Sequence, residues 1–115
     1  MSSLDPRRQL LKGTLPLLVL GALEERELYG YEIAQRLATG SAGIVAPSEG
    51  SLYPALHRLE TDGAVSATWR ESDRGPRRRY YHLTENGRRM LAEQRAAWEQ
   101  FAHAVQRVAL EPADG

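Results

Sequence analysis

Residues 48–83 read SEGSLYPALHRLETDGAVSATWRESDRGPRRRYYHL, and within this stretch a helical pattern gives way at once to the pattern of a strand pair. Leu52, Ala55, Leu56 and Leu59 fall at i, i+3, i+4 and i+7, the spacing that gathers apolar side chains on one face of a 3.6-residue helix. The other face is left free. At about 100° per residue that free face is centred on Gly50, Pro54 and His57, with Ser51, Tyr53 and Arg58 on its flanks. Ser48 is placed to cap the helix through its hydroxyl, and Gly63 to end it. Pro54 has no N–H and would fall beyond the first turn, so the helix either begins nearer Ser51 or has an irregular first turn.

The second half predicts a hairpin over 65–69 and 77–83. Val65, Ala67 and Trp69 alternate with polar neighbours as a half-buried strand does. Ser72 to Pro76, with its Asp, Gly and Pro, has the composition of a turn. Of Tyr80 and Tyr81, one must point inward and the other outward. Arg74, Arg77, Arg78 and Arg79 concentrate positive charge at the tip and on the return strand. A helix followed by a basic two-stranded wing is the plan of a winged helix-turn-helix, in which the helix enters the major groove of double-stranded DNA and the wing lies along phosphates. The expected contact set is Ser48, Gly50, Ser51, Tyr53, Pro54, His57, Arg58, Arg74, Arg77, Arg78 and Arg79. His57, near the centre of the free face, is the first choice for reading a base edge. Because Gly50 and Pro54 carry no side-chain donors, the direct code is thin and DNA shape is expected to share the discrimination.

GSLYPALHRLETDG (residues 50–63), Trp69, RRRYYHLTENG (residues 77–87) and the upstream YGYEIAQRL (residues 29–37) occur in that order. Together they resemble the PadR family of bacterial transcriptional regulators, over roughly Leu11 to Val108. The resemblance implies a homodimer, repression as the usual activity, and release from DNA by an effector. It also favours Tyr53 as a contact to the DNA backbone.

Upstream, Asp5 and Pro6 are suited to start a short helix that runs through Lys12 and breaks at Gly13. A second, buried helix is expected over Pro16 to Leu23 with Thr14 as its cap, followed by a charged connection from Glu24 to Glu27. Tyr29 to Ala38 reads as the next helix, with Gly30, Ile33, Ala34 and Leu37 on one face. That helix would lie across the DNA backbone. Thr39 to Ala46 is then a longer turn than the motif usually has.

Beyond the wing, Thr84 can cap a last helix from about Glu85 to Ala109. Leu91, Gln94, Trp98, Phe101, Val105 and Val108 recur there at alternating steps of three and four. That 3.5-residue repeat is a coiled-coil seam, longer than so small a domain can cover, and it predicts a dimer interface. Trp98 lies mid-seam, and small neighbours such as Ala96, Ala97, Ala102 and Ala104 leave room beside it. By the resemblance, Trp98 matches an aromatic that lines a ligand site in drug-responsive relatives, which makes it a candidate wall for a small apolar effector. The fold class expected is mainly α with a small β-hairpin (α+β): a winged helix-turn-helix over residues 1–83, a dimerisation helix over 84–110, and a disordered tail over 111–115.

The chain has 115 residues and no cysteine, which excludes disulfides and thiolate chemistry. Its 15 basic and 15 acidic residues cancel. Between Arg70 and Arg89, however, seven arginines stand against Glu71, Asp73 and Glu85, a local excess of +4 that leaves −4 elsewhere. Binding to phosphate follows local potential, so neutrality does not exclude DNA. No apolar run approaches the roughly 20 residues that span a bilayer, and a cytoplasmic location without membrane association is expected. His57, His82 and His103 have no carboxylate at zinc-ligand spacing. No phosphate loop or nucleophile motif occurs either, so neither enzyme, metal nor cofactor is expected. The rival reading is a protein-interaction module whose arginine-rich wing pairs with an acidic protein.

Overall fold

In a computed structural model of the chain, which describes residues 5–112, the elements run α1 (Pro6–Ala22), β1 (Leu28–Tyr29), α2 (Gly30–Gly40), α3 (Glu49–Thr61), β2 (Val65–Arg70), β3 (Arg78–Leu83) and α4 (Glu85–Val105). A π-helical turn over Gln106–Leu110 follows α4. The strands make one antiparallel sheet in the order β1-β3-β2. The tail expected from residue 111 falls largely outside the described residues.

The two N-terminal helices expected from the sequence are one. Asp5 caps α1, accepting from the Arg7 N–H (2.9 Å), and Pro6 stands at the first helical position as anticipated. The helix then continues through both Gly13 and Pro16. The reason is energetic: an interior Pro and Gly cost about 3 and 1 kcal/mol. Burying Leu15, Val19 and Leu20 on the resulting face contributes about 1.5 to 3 kcal/mol each. Thr14, rather than capping, donates its hydroxyl to the Leu10 carbonyl one turn back (2.8 Å).

The core is a single cluster in which α1 touches α2, α3 and α4. Val19, Leu20, Ile33 and Leu56 have no exposed surface at its centre. The expected face of α2 is turned inward, with Gly30, Ile33 and Leu37 buried and Ala34 packed against them. The helix ends at Gly40, slightly later than expected, and Tyr29 stands just before it, its N–H donated to Glu32 Oε1 (3.2 Å).

A tight junction joins hairpin, α3 and α4. Gly63 has φ +78°, a left-handed conformation natural to glycine, and the chain turns there into β2. Thr84 caps α4 as expected, accepting from the Gly87 N–H (3.0 Å) while its hydroxyl lies 2.6 Å from the Gly63 carbonyl as donor. Gly87 itself presses on the Ala64 carbonyl, so that a Cβ would overlap it. Gly87→Ala should therefore destabilise the protein by about 1 to 3 kcal/mol through overpacking, measured by urea unfolding at fixed protein concentration, whereas Gly13→Ala, in open space, should not.

Candidate nucleic-acid interface

Helix α3 is divided as its periodicity requires. Leu52, Leu56 and Leu59 are buried and Ala55 is packed beside them, while Gly50, Ser51, Tyr53, Pro54, His57 and Arg58 are all exposed. The helix starts at Glu49 with Ser48 in extended conformation before it. Ser48 does not cap with its hydroxyl. That group donates to Ser51 Oγ (3.2 Å), and the Ser48 carbonyl instead receives the Leu52 N–H (2.9 Å). Pro54 is retained inside the helix. The hydrogen bond it withholds from Gly50 is lost between two exposed residues, where the carbonyl is open to solvent. Tyr53 is only half free: its hydroxyl end lies against Gly30, so closely that a Cβ there would overlap the ring. Tyr53 thus ties α3 to the start of α2 while its outer edge remains exposed.

The hairpin register pairs Val65 with Leu83, Ala67 with Tyr81 and Trp69 with Arg79 on the face toward α3, and Ser66 with His82, Thr68 with Tyr80 and Arg70 with Arg78 on the other. Tyr81 is therefore the buried tyrosine, and burial raises the pKa of its phenol. Tyr80 faces outward against Tyr29 (ring centroids 5.4 Å). Trp69 departs from its expected half-burial and is 55% exposed. It stands where β2 has already left the core, and Arg77 and Arg79 cover it with guanidiniums 5.4 and 5.6 Å from the ring centre. The turn is closed by Ser72, whose hydroxyl lies 2.9 Å from the Pro76 carbonyl, with Gly75 at φ +100°.

The four expected wing arginines are not equivalent. Arg74, Arg77 and Arg78 are exposed, Arg77 over Trp69 and Arg78 over Tyr29 at 4.6 Å. Arg79 instead turns back to α3, donating to Glu60 Oε2 (2.6 Å). On the opposite face Arg70 pairs with Glu27 and stacks over Tyr80 (4.6 Å). Glu27, Tyr29, Glu60 and Arg70 were absent from the expected site. Only the strand register and the two-residue β1, too short to leave a periodic signal, bring them to the wing.

On α4 the expected seam splits. Leu91 belongs to the chain's own core, because the first turns of α4 lie over α1. Gln94 is half-buried, and Trp98, Phe101, Val105 and Val108 are exposed along the remainder. Trp98 and Phe101 approach each other (6.3 Å). A groove of about 840 Å³ between α1, α2 and α4 runs up to Trp98, with Leu17, Leu18 and Leu37 among its lining residues. Arg95 grips Glu24 with both nitrogens (2.6 and 2.9 Å), fixing α4 to the loop after α1. The hydrogen-bonded guanidinium holds the Glu24 carboxyl below its ordinary pKa. Among the described residues, no helix is long and apolar enough to cross a membrane.

Comparison with known proteins agrees with this geometry. The chain is 36% identical over 98 residues to a transcriptional regulator of Mycobacterium tuberculosis, covering 85% of this chain and 88% of the relative. The crystal structure of a PadR-like transcriptional regulator from Bacillus cereus superposes with a TM-score of 0.75 at 34% identity, covering 90% of this chain and 99% of the other. A PadR family regulator from Eggerthella lenta gives a TM-score of 0.79 at 31% identity, over 91% and 89% of the two chains. Residues 19–93, which span α2, α3, the wing and the start of α4, match the profile described as the transcriptional regulator PadR-like family. With an α+β fold of the same winged-helix form and relatives that are regulators rather than enzymes, the chain belongs to the PadR-like family of transcriptional regulators.

Proposed function

We propose that the chain is a homodimeric, sequence-specific DNA-binding repressor of the cytoplasm, released from its operator by a small apolar effector. The observation that carries this reading is the division of α3: three leucines fix one face in the core, and the opposite face stands exposed beside a basic wing. Residues 1–83 act as the DNA-binding unit. Ser51, His57 and Arg58 meet base edges in the major groove, Ser48, Gly50, Tyr53 and Pro54 lie along the backbone, and Arg74, Arg77 and Arg78 meet phosphates.

Residues 84–110 act as the dimerisation helix. Among the described residues, Trp98, Phe101 and Val105 on the outer half of α4 and Val108 on the π-helical turn after it stand partly or largely exposed, and a second copy of the same seam covers them with two-fold symmetry. The effector lies against Trp98, where the groove between α1, α2 and α4 ends. Planar apolar compounds suit an exposed indole by stacking.

Electrophoretic shift of the DNA just upstream of the protein's own gene tests the reading directly, and heparin should abolish the shift. His57→Ala should change preference among operator variants by about 1 to 3 kcal/mol at one base pair; a uniform loss over all sequences would assign His57 to the backbone. Replacing Arg74, Arg77 and Arg78 with Ala should weaken specific and random DNA alike and reduce the salt dependence by about one log-log unit per residue. Phe101→Glu should give a monomer by sedimentation and lose operator binding. In the unsubstituted dimer, planar apolar compounds should quench Trp98 emission without dissociating it; emission that no such compound perturbs would remove the effector from Trp98.

A further inference from the structure

The wing leaves the body of the protein early. Val65 is buried, Ser66 and Ala67 are half-buried, and Thr68, Trp69 and Arg70 are exposed. Past Ala67 the hairpin has no core beneath it and keeps one backbone rung to β1, Tyr29 with Tyr80; beyond that rung its angle to α3 depends on side chains that reach back. Among the described residues two arginines do so by ion pairs, one on each face: Arg79 to Glu60 of α3, and Arg70 to Glu27 ahead of β1. Arg79 shares the Trp69 ring with Arg77 and otherwise differs from the exposed arginines of the tip. It is half-buried, it lies between the rings of Trp69 and Tyr81 (5.6 and 5.9 Å), and its Nε is buried without an acceptor. To give a phosphate the Nη2 that it donates to Glu60, Arg79 would have to leave that carboxylate and part of its contact with Trp69.

Glu60 is equally informative. It stands about one helical turn beyond His57 on α3, close to the surface assigned to DNA, where an unpaired carboxylate would repel phosphate. Paired with Arg79 at 2.6 Å it is electrically neutral toward a polyanion. What the pair supplies is therefore geometry rather than attraction.

We propose that Glu60 and Arg79 are positioning residues whose ion pair sets the distance and angle between wing and α3, so that phosphates under the wing and bases under the helix are met in one register. Arg79 is on this account not a phosphate ligand, in contrast to Arg74, Arg77 and Arg78. The inference rests on the DNA-binding reading above and deepens it.

The experiment compares the full-length protein with Glu60→Gln, Arg79→Gln, the double variant, and Arg74→Gln as a phosphate-contact control, titrating operator DNA across a salt series. Glu60→Gln should weaken binding about tenfold, although it removes a negative charge beside a polyanion. Arg79→Gln, which also leaves the Glu60 carboxylate unpaired beside phosphate, should cost at least as much, and the double variant no more than Arg79→Gln, because both break the same pair. The log-log salt slope should stay at the unsubstituted value in all three and fall by about one in Arg74→Gln. Hydrogen exchange without DNA should quicken at residues 68–80 in Glu60→Gln while α1 and α2 keep their protection, a pattern that general destabilisation would not give. Tighter DNA binding by Glu60→Gln, or a slope lowered by about one in Arg79→Gln, overturns the proposal. Should Arg79→Gln fail to fold, the sign of the Glu60→Gln effect decides alone. If the unsubstituted protein shifts no DNA, the DNA-binding reading falls, and the exchange measurement still decides the ion pair: unchanged exchange in the wing overturns it.

Discussion

The seating of α3 governs the rest of the molecule. Leu56 is wholly buried, and Leu52 and Leu59 nearly so, one turn to either side of it. A helix held at three successive turns has neither rotation nor translation left, because a rotation of 100° would expose all three leucines and bury Tyr53, His57 or Arg58 in their place. The orientation of the polar face is thus a by-product of hydrophobic burial. Even Pro54 follows from it: the break it introduces lies on the wet side of the helix, and burial on the dry side outweighs it.

Features carried by local periodicity were legible in the sequence. The apolar stripes of α2 and α3, the stop at Gly63, the cap at Thr84 and the hairpin strands all sit within a residue or two of their expected bounds. What was not legible depends on contacts between distant segments. The unity of α1 across Gly13 and Pro16 is decided by how much of its face the rest of the chain covers. The two-residue β1 exists only because β3 offers Leu28 and Tyr29 a partner. Trp69 alternates as a buried strand residue should, yet the sheet has outrun its core at that point. Most tellingly, Arg79 is indistinguishable from Arg77 and Arg78 in the sequence, and the strand register alone turns it toward Glu60. From Trp98 onward the seam positions of α4 are exposed apolar surface, whereas Leu91, in phase with them, belongs to the core.

Electrostatics here is a matter of partition. A chain with no net charge gathers arginine into one segment and then spends part of that charge internally. Arg70, Arg79 and Arg95 face Glu27, Glu60 and Glu24, so that each tethers an outlying element, wing or α4, to the body. Exposed pairs of this kind add little to stability individually. Their value lies in direction: a bidentate or enclosed guanidinium defines an angle as well as a distance. The charge left over at Arg74, Arg77 and Arg78 stands exposed at the end of the hairpin, and among the described residues none of the three is in an ion pair.

The exposed residues of the seam, Trp98 to Val108, lie wholly outside the span 19–93 by which the chain is recognised as a family member. Under the homodimer reading, the surface that chooses a partner and the surface that reads DNA are written on separate stretches of chain. Each can then drift without disturbing the other. Where several regulators of one family are made in the same cell, divergence along these few seam positions is enough to keep their subunits from mixing, and each operator answers to a single kind of dimer.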